Sequence, residues 1–343
     1  MAFGRIPAAP LPAEAALANG RWVKWIAGAS NQDLAAIEDL AGIYTLAGAH
    51  CLDLAADGAV VAAARRGMAW AAGHGGARPW LMVSLSDGQD PHFRKAWFDP
   101  RRCPPSCPRP CERVCPALAI GEQATGARGV LTERCYGCGR CLPACPLGLI
   151  EERSRVLAPG ALAPLLAELR PEAVELHTSP GRQQAFEERL DQLLASELPL
   201  RRVAVSAGAE VSVAELWQRF AALRARGLRP LWQLDGRPMS GDVGDGTARA
   251  AVALLARRRQ AMPPGPLQLA GGTNARSLPL LEATPALAPA CAGVAFGGVA
   301  RRLLQPLLLQ AQGRGMALCH DPELSRRALA LARSLLRPWL ERL

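Results

Sequence analysis

Lysine is almost missing from this chain: Lys24 and Lys95 are the only two among 343 residues, and the remaining positive charge is arginine. The formal net charge is still +10, yet no run of five basic residues occurs. Neither clustered charge nor an aromatic recognition motif accompanies the arginine, so the balance does not read as a nucleic-acid surface. Alanine, leucine, proline and arginine dominate together, as a GC-rich genome alone would produce. No apolar stretch approaches the roughly 20 residues of a membrane helix. The start, MAFGRIPAAPLPAEAALANG, holds no uninterrupted apolar run of signal-peptide length. Disulfides need an oxidising compartment, so reduced thiols in a cytoplasmic protein are the expectation. No G-x-G-x-x-G follows the first expected strand, which removes the fingerprint of an open dinucleotide-binding sheet.

Cysteine, by contrast, is concentrated. Eight of the eleven cysteines lie between Cys103 and Cys145. Cys135, Cys138, Cys141 and Cys145-Pro146 keep the C-x2-C-x2-C-x3-C-P spacing of a bacterial-type ferredoxin, in which the fourth cysteine serves the other cluster. Cys103, Cys107, Cys111 and Cys115-Pro116 end the same way, with three-residue gaps earlier. The crossed pattern assigns Cys103, Cys107, Cys111 and Cys145 to one iron–sulfur cluster, and Cys135, Cys138, Cys141 and Cys115 to a second, both expected to be of the 4Fe-4S type. Zinc sites favour two separated C-x2-C pairs and commonly include histidine; the only histidine nearby is His92, before the first cysteine.

Around this module the chain alternates. Half the residues are apolar, enough for a sizeable core. Strands are expected at residues 22–29, 51–55, 80–86, 173–178, 203–207, 231–235, 267–271 and 293–297, with period-two or continuous apolar runs. Helices are expected at 33–47, 59–72, 160–169, 183–195, 213–225, 246–259, 275–282 and 299–311, and an amphipathic one at 322–341. Ser30 and Asn31 are the expected cap of the first, and Gly48 its stop. Eight strand–helix repeats imply parallel pairing and close naturally into a (β/α)8 barrel. The expected division is a loose lead-in at 1–20, the first part of the barrel at 21–98, a ferredoxin-type insertion after strand 3 at 99–152, and the rest of the barrel with a C-terminal helix at 153–343.

In such a barrel function collects at the C-terminal ends of the strands, which places the cysteine module on that face. Gly271, Gly272 and Thr273 follow strand 7, and Gly297 and Gly298 follow strand 8. Paired glycine loops there form a phosphate cradle for a flavin mononucleotide or another phosphorylated ligand, unless they only make tight turns. Alternation turns Glu175 and His177 inward, and Lys24, Asp53, Gln233 and Asp235 can join them. That set is either an acid–base site or an internal ion-pair cluster, the structural reading being preferred. Cys51, Cys291 and Cys319 read as small buried hydrophobes; His50 and His74 have no evident partner.

The segments GRWVKWIAGASNQDLAAIEDLAGIYTLAGAHCLDLAAD, CPRPCERVCPALAI, CYGCGRCLPACPLGLI and WQLDGRPMSGDVGDGTARAAV resemble the light-dependent period family of cyanobacteria, over nearly the whole chain. The resemblance implies an iron–sulfur protein that conveys light, through cellular redox state, to the circadian clock. It carries the eight module cysteines over as cluster ligands, and implies clock-input proteins or other redox partners. A redox sensor rather than an enzyme is the preferred reading. The rival is an oxidoreductase with a flavin in the barrel mouth, and an electron carrier without a substrate comes third.

Overall fold

Eight parallel strands close into a barrel whose C-terminal rim carries a cysteine-rich insertion. The computed structural model describes residues 11–88, 93–122, 128–154, 159–237 and 244–342. In chain order the strands are β1 (Trp22–Ile26), β2 (Cys51–Ala55) and β3 (Trp80–Ser86). The insertion contributes β4 (Arg94–Trp97), β5 (Ile120–Glu122), β6 (Arg128–Val130) and β7 (Glu151–Ser154). The barrel resumes with β8 (Ala173–His177), β9 (Arg202–Ser206), β10 (Pro230–Asp235), β11 (Leu267–Ala270) and β12 (Gly293–Phe296). β3 pairs directly with β8, Met82 opposite Ala173, so the insertion leaves the barrel order undisturbed. β1 pairs with β12, Trp22 opposite Gly293, and closes the ring. The expected (β/α)8 fold is thus the observed one. The first strand stops earlier than expected because Gly28 turns left-handed, at φ 109°.

Both faces of the strands are covered, and they are apolar on the outer face and at the N-terminal end of the inner one. Val23, Trp25, Val174, Leu176, Val203 and Val205 point outward into the layer of helices. Trp22, Cys51, Trp80, Met82, Ala173, Ala204, Leu231 and Ala292 fill the N-terminal end of the interior. The lead-in is not loose throughout: helix α1 (Ala13–Ala18) packs there, its Ala16 and Leu17 buried, and Leu17 joins the Trp22 layer as a plug. Residues 1–10 of the lead-in, and His92, lie outside the described residues.

Helix α2 (Leu34–Ala47) is capped by Asp33, whose side chain accepts from the Ala36 amide, rather than by Ser30 or Asn31. Asn31 is spent one step earlier: it donates to the Ala27 carbonyl and accepts from the Asp33 amide, which fixes the turn that presents the cap. Helix α3 (Gly58–Gly73) is capped by Asp57. The outer ring continues with α6 (Leu162–Leu169), α7 (Gln183–Leu194), α8 (Val213–Ala225), α9 (Ala248–Arg258), α10 (Ser277–Glu282) and α11 (Gly298–Gly313). C-terminal α12 (Pro322–Leu340) lays Leu329, Leu335, Leu336 and Trp339 into the outer core. Among the described residues no helix is long and apolar enough to cross a membrane.

The insertion begins before residue 99. β4 and β7 form its antiparallel base, Arg94 opposite Ser154, and bring both ends of the segment back together above β3 and β8. β5 and β6 form a second small hairpin. Two short helices, α4 (Pro110–Val114) and α5 (Cys141–Ala144), pack on each other between them.

Candidate metal centre

The two halves of the insertion repeat one local design. In each, a cysteine opens a short helix, Cys111 in α4 and Cys141 in α5, and a Cys-Pro follows at its end. The Cys115 sulfur then accepts from the Ala119 amide (3.2 Å), and the Cys145 sulfur from the Leu149 amide (3.4 Å). Both turns need a left-handed residue three positions after the cysteine. It is Gly148 in the second half (φ 60°) but Leu118 in the first (φ 50°). The residue two before the helical cysteine is left-handed as well: Gly139 in the second half and Arg109 in the first.

This pseudo-symmetry divides the eight thiols across the halves. Cys103, Cys107, Cys111 and Cys145 line one cavity, closed by Phe98, Leu149 and Ile150. Cys115, Cys135, Cys138 and Cys141 line the other, with Tyr136, Lys95 and Ala96. Ile120, buried, lines both and separates them. All eight thiols are free. Burial pushes the Cys141 thiol up to about 12, and Cys138, Cys135 and Cys115 crowding it add to the rise. Cys111 is raised too, by burial first and also by its proximity to Cys145. Cys145 runs the other way: burial raises it, but the amides of Leu149, Leu147, Ile150 and Gly148 outweigh burial and hold it low. Amide-to-sulfur bonds of this kind stabilise bound thiolates, and Cys135 receives one from the Ala96 amide at 3.3 Å.

The donor set suits an inorganic core larger than one ion. A tetrahedral zinc site brings its sulfurs to about 2.3 Å from a common point. Each cavity here offers four thiols and no histidine, a donor set that fits an iron–sulfur core.

The Cys115/Cys135/Cys138/Cys141 cavity is the inner one, resting on the barrel. Tyr136 stacks under the Arg301 guanidinium, 4.1 Å from ring centroid to carbon, and Arg301, from α11, also donates to the Ala27 carbonyl just past β1. The Gln32 amide donates to the Glu133 carbonyl at 2.9 Å. Lys95 donates to Gln32 Oε1 (2.8 Å) and to the Thr132 carbonyl. Phe93 meets the His177 ring edge-on at 5.5 Å. Both cavities are lined by insertion residues alone; the inner one is set apart by Tyr136 and Lys95, whose partners Arg301 and Gln32 belong to the barrel.

Below the insertion, the inward polar residues form one bonded network. Lys24, fully buried, holds Asp53 at 2.8 Å and also Glu175, and lies 3.7 Å from the Met82 sulfur. Ser84 donates to Asp53 (2.8 Å), Gln233 to Glu175, Gln268 to Gln233 (2.8 Å), and the Trp22 indole to Gln268 (2.6 Å). His177 Nε2 is 3.1 Å from Glu175. Burial raises both carboxyls, but Lys24 and His177 hold Glu175 well below the usual range. Asp53 is pushed up to about 7 by burial, against Lys24 and with the Glu175 charge adding. Two carboxylates thus share one ammonium, and Glu175 keeps the negative charge. Asp235, nearer the mouth, is likewise pushed up to about 7 by burial, and then by Glu175. Asp235 apart, for which no bond to the network is seen among the described residues, the partners are mutual, as an internal ion-pair cluster requires.

At the rim, Gly271 and Gly272 are left-handed and closely packed. A Cβ on Gly271 would lie 2.6 Å from the Arg237 carbonyl oxygen, and one on Gly272 would lie 3.0 Å from the Thr247 Cβ. Thr273 spends its hydroxyl on the Ala295 carbonyl, and Asn274 spends its amide on the Asp245 carbonyl (3.2 Å). Gly297 precedes α11, which Gly298 opens. Cys51, Cys291 and Cys319 are buried as expected. His50 has a partner after all: its Nδ1 accepts from the Val23 amide at 3.1 Å while the ring stacks on Trp22. His74 bonds the Trp70 carbonyl at 2.7 Å. Sequence reasoning missed Tyr136, Arg301, Gln32 and Lys95 as the seam between insertion and barrel. Only Lys95 carried a signal, the rarity of its residue type.

A closed (β/α)8 barrel bearing an iron–sulfur cluster-binding domain is the class this architecture defines: residues 103–156 match the LdpA Fe-S cluster-binding domain, and residues 165–338 the Light dependent period A C-terminal domain. The chain belongs to the light-dependent period A family. It is 46% identical over 336 residues to "Light dependent period A" of Synechococcus elongatus, a match covering 96% of this chain and 94% of that protein. Solved structures resemble it far less. Mycobacterium tuberculosis tryptophan synthase has a TM-score of 0.43 at 14% identity, covering 94% of this chain and 95% of the other. A phosphoribosyl anthranilate isomerase has a TM-score of 0.37 at 12% identity, covering 92% and 99%. The strand order, not these distant likenesses, defines the fold.

Proposed function

We propose that this chain is an iron–sulfur redox sensor that holds two 4Fe-4S clusters in the cytoplasm and conveys light-dependent redox state to circadian-input partners. The observation that carries the reading is the partition of eight cysteines into two four-thiol cavities in the crossed pattern, with the inner cavity seated on the barrel. Cys103, Cys107, Cys111 and Cys145 would hold the outer cluster; Cys115, Cys135, Cys138 and Cys141 would hold the inner one. Bound there, the clusters supply one-electron chemistry. The chain's own part is to keep the thiolates charged through the Ala96, Ala119 and Leu149 amides, and to shield Cys111, Cys135 and Cys141 from solvent. A change of charge within the insertion alters the electrostatics of its seam with the barrel, and a surface that responds to it can bias a partner.

The rival oxidoreductase asks for a flavin or other phosphorylated ligand at Gly271, Gly272, Thr273, Gly297 and Gly298. Packing against Arg237 and Thr247 already accounts for the first two glycines, and α10, with six residues, offers a weak anion site. The sensor reading therefore leads.

Anaerobically purified protein should contain iron and sulfide in near-equal amounts, with two distinct paramagnetic centres on reduction. Cys115→Ala should disturb the same centre as Cys138→Ala, and Cys145→Ala the same centre as Cys107→Ala. Stoichiometric zinc without sulfide would end the reading. Pairing of Cys115 with Cys107 would replace the crossed arrangement by sequential ligation.

A further inference from the structure

We infer that Arg301, a barrel residue, sets the reduction potential of the inner cluster above that of the outer one and ties that cluster's charge to the barrel rim. The inference rests on the iron–sulfur reading of the two cavities. Its starting point is a comparison of charges. Arg94, Lys95 and Glu152 line the inner cavity; Arg109, Arg128 and Glu112 line the outer one. Two cations and one anion stand on each side, and in each set an arginine is bonded to the glutamate, Arg94 to Glu152 and Arg128 to Glu112. The linings alone give the two clusters no reason to differ in sign or size of field.

What breaks the balance lies just behind the linings. On the outer side the further arginines, Arg101, Arg102 and Arg113, are exposed, and Arg101 is paired with Asp99. Exposed charge of this kind is screened by solvent and salt. On the inner side, Arg301 is only 9% exposed. Arg301 stacks on Tyr136, which stands between the ligand pair Cys135 and Cys138, and its Nη2 donates to the Ala27 carbonyl. Gly28 lies against the same pair: a Cβ there would be 3.4 Å from the Arg301 guanidinium and 3.5 Å from the Tyr136 Cβ. The guanidinium has no carboxylate partner among the described ion pairs, so its charge is not cancelled locally.

A buried cation favours the more negative state of whatever it faces. Reduction of the inner centre adds one electron, hence one negative charge, next to the loop that Arg301 supports. At an effective dielectric near 20 and about 10 Å, a unit charge alters the reduced-to-oxidised ratio by on the order of tenfold. The inner centre should therefore be reduced first, and the contact that holds it should tighten as it is reduced. Arg301 acts as a positioning residue, through Tyr136 and through the field, and touches no cluster ligand itself.

The test is a dithionite titration of the full-length, cluster-loaded protein followed by electron paramagnetic resonance, with the two signals assigned by Cys138→Ala and Cys107→Ala. Arg301→Gln should move the inner midpoint to lower potential and leave the outer one in place, with iron and sulfide content unchanged. Arg301→Lys, which keeps the charge but loses the planar stack, should retain most of the wild-type gap between the two midpoints. Tyr136→Phe, which keeps the ring, should retain it as well, and guards against a variant that merely loosens the insertion. Equal shifts of both centres, or none in Arg301→Gln, would overturn the inference while leaving the clusters intact. Absence of sulfide from the wild-type protein would instead sink the iron–sulfur reading beneath it.

Discussion

Replacing Lys24 with Met tests whether the polar centre of the barrel is structural. The methionine fills much the same volume but leaves Glu175 without its ammonium, at a site with no access to water. A buried carboxylate in that position takes up a proton instead. With His177 still 3.1 Å from it, the cost at pH 7 is at most that of protonating a group whose ordinary pKa is ~4.3, about 1.36 × 2.7, or ~3.7 kcal/mol. One-sided removal of a buried pair costs ~3–5 kcal/mol in general, so two routes agree. Asp53 adds little, since it is already pushed up to about 7 in the native protein, by burial first. The sign fixes the pH dependence. In the native protein Glu175 is held low, so its contribution is present above the unfolded pKa and lost as pH falls. In the variant Glu175 is raised, so the deficit grows as pH rises: at most ~1 kcal/mol at pH 5 and ~3.7 at pH 7. Denaturant unfolding at both values, with iron content as a control, reads this directly. Glu175→Gln placed on Lys24→Met should recover part of the loss at pH 7 and almost none at pH 5. A deficit independent of pH, or below about 1 kcal/mol at pH 7, would mean that Lys24 does not hold Glu175 in the charged state.

Two further outcomes follow from the geometry. Leu118→Gly should stabilise the insertion by ~0.5–1 kcal/mol, because a left-handed residue other than glycine costs ~1–2 kcal/mol and glycine returns part of that as unfolded-state entropy; Gly148→Ala should lose a similar amount, and thermal unfolding of the two variants compares them. Denatured native protein should release no flavin or other phosphorylated compound in stoichiometric amount; mass spectrometry of the supernatant checks this, and a one-to-one release would restore the oxidoreductase reading.

The barrel was legible because its physics is repetitive. β2, β3 and α8 fall on the expected residues, 51–55, 80–86 and 213–225, since strands covered on both faces and helices with one apolar stripe mark themselves locally. The grouping of the cysteines was legible in part: the two crossed sets expected from the spacing are the sets that line the two cavities, and their ligation is the proposal that the Cys115 and Cys145 variants test. What stayed hidden were contacts between distant segments of the chain. Leu17 reads as one more residue of an Ala- and Pro-rich leader until the Trp22 layer stands above it. His50 looked partnerless because its partner is a backbone amide. Tyr136 and Arg301 meet only because the insertion folds down onto α11, and neither residue has a local pattern that announces it.

The scarcity of lysine then takes on a physical meaning. Both lysines are buried, and each donates from one point to separate segments of the chain. Lys24 reaches Asp53, Glu175 and the Met82 sulfur from the middle of the barrel. Lys95 ties Gln32, on the barrel, to the Thr132 carbonyl, in the loop before Cys135. A guanidinium is planar and presents its donors as a rigid fork, whereas an ammonium is a compact charge with rotatable donors. At Arg301 the plane is the useful shape, because it stacks on a ring. At the two lysines the acceptors come from separate segments, Asp53 and Glu175 at one and Gln32 and Thr132 at the other. In a chain that otherwise draws its positive charge from arginine, the two exceptions therefore mark the barrel's centre and its seam with the metal-binding insertion. At that seam Lys95 fixes the inner loop through hydrogen bonds, and Arg301 stacks on the Tyr136 ring of the same loop.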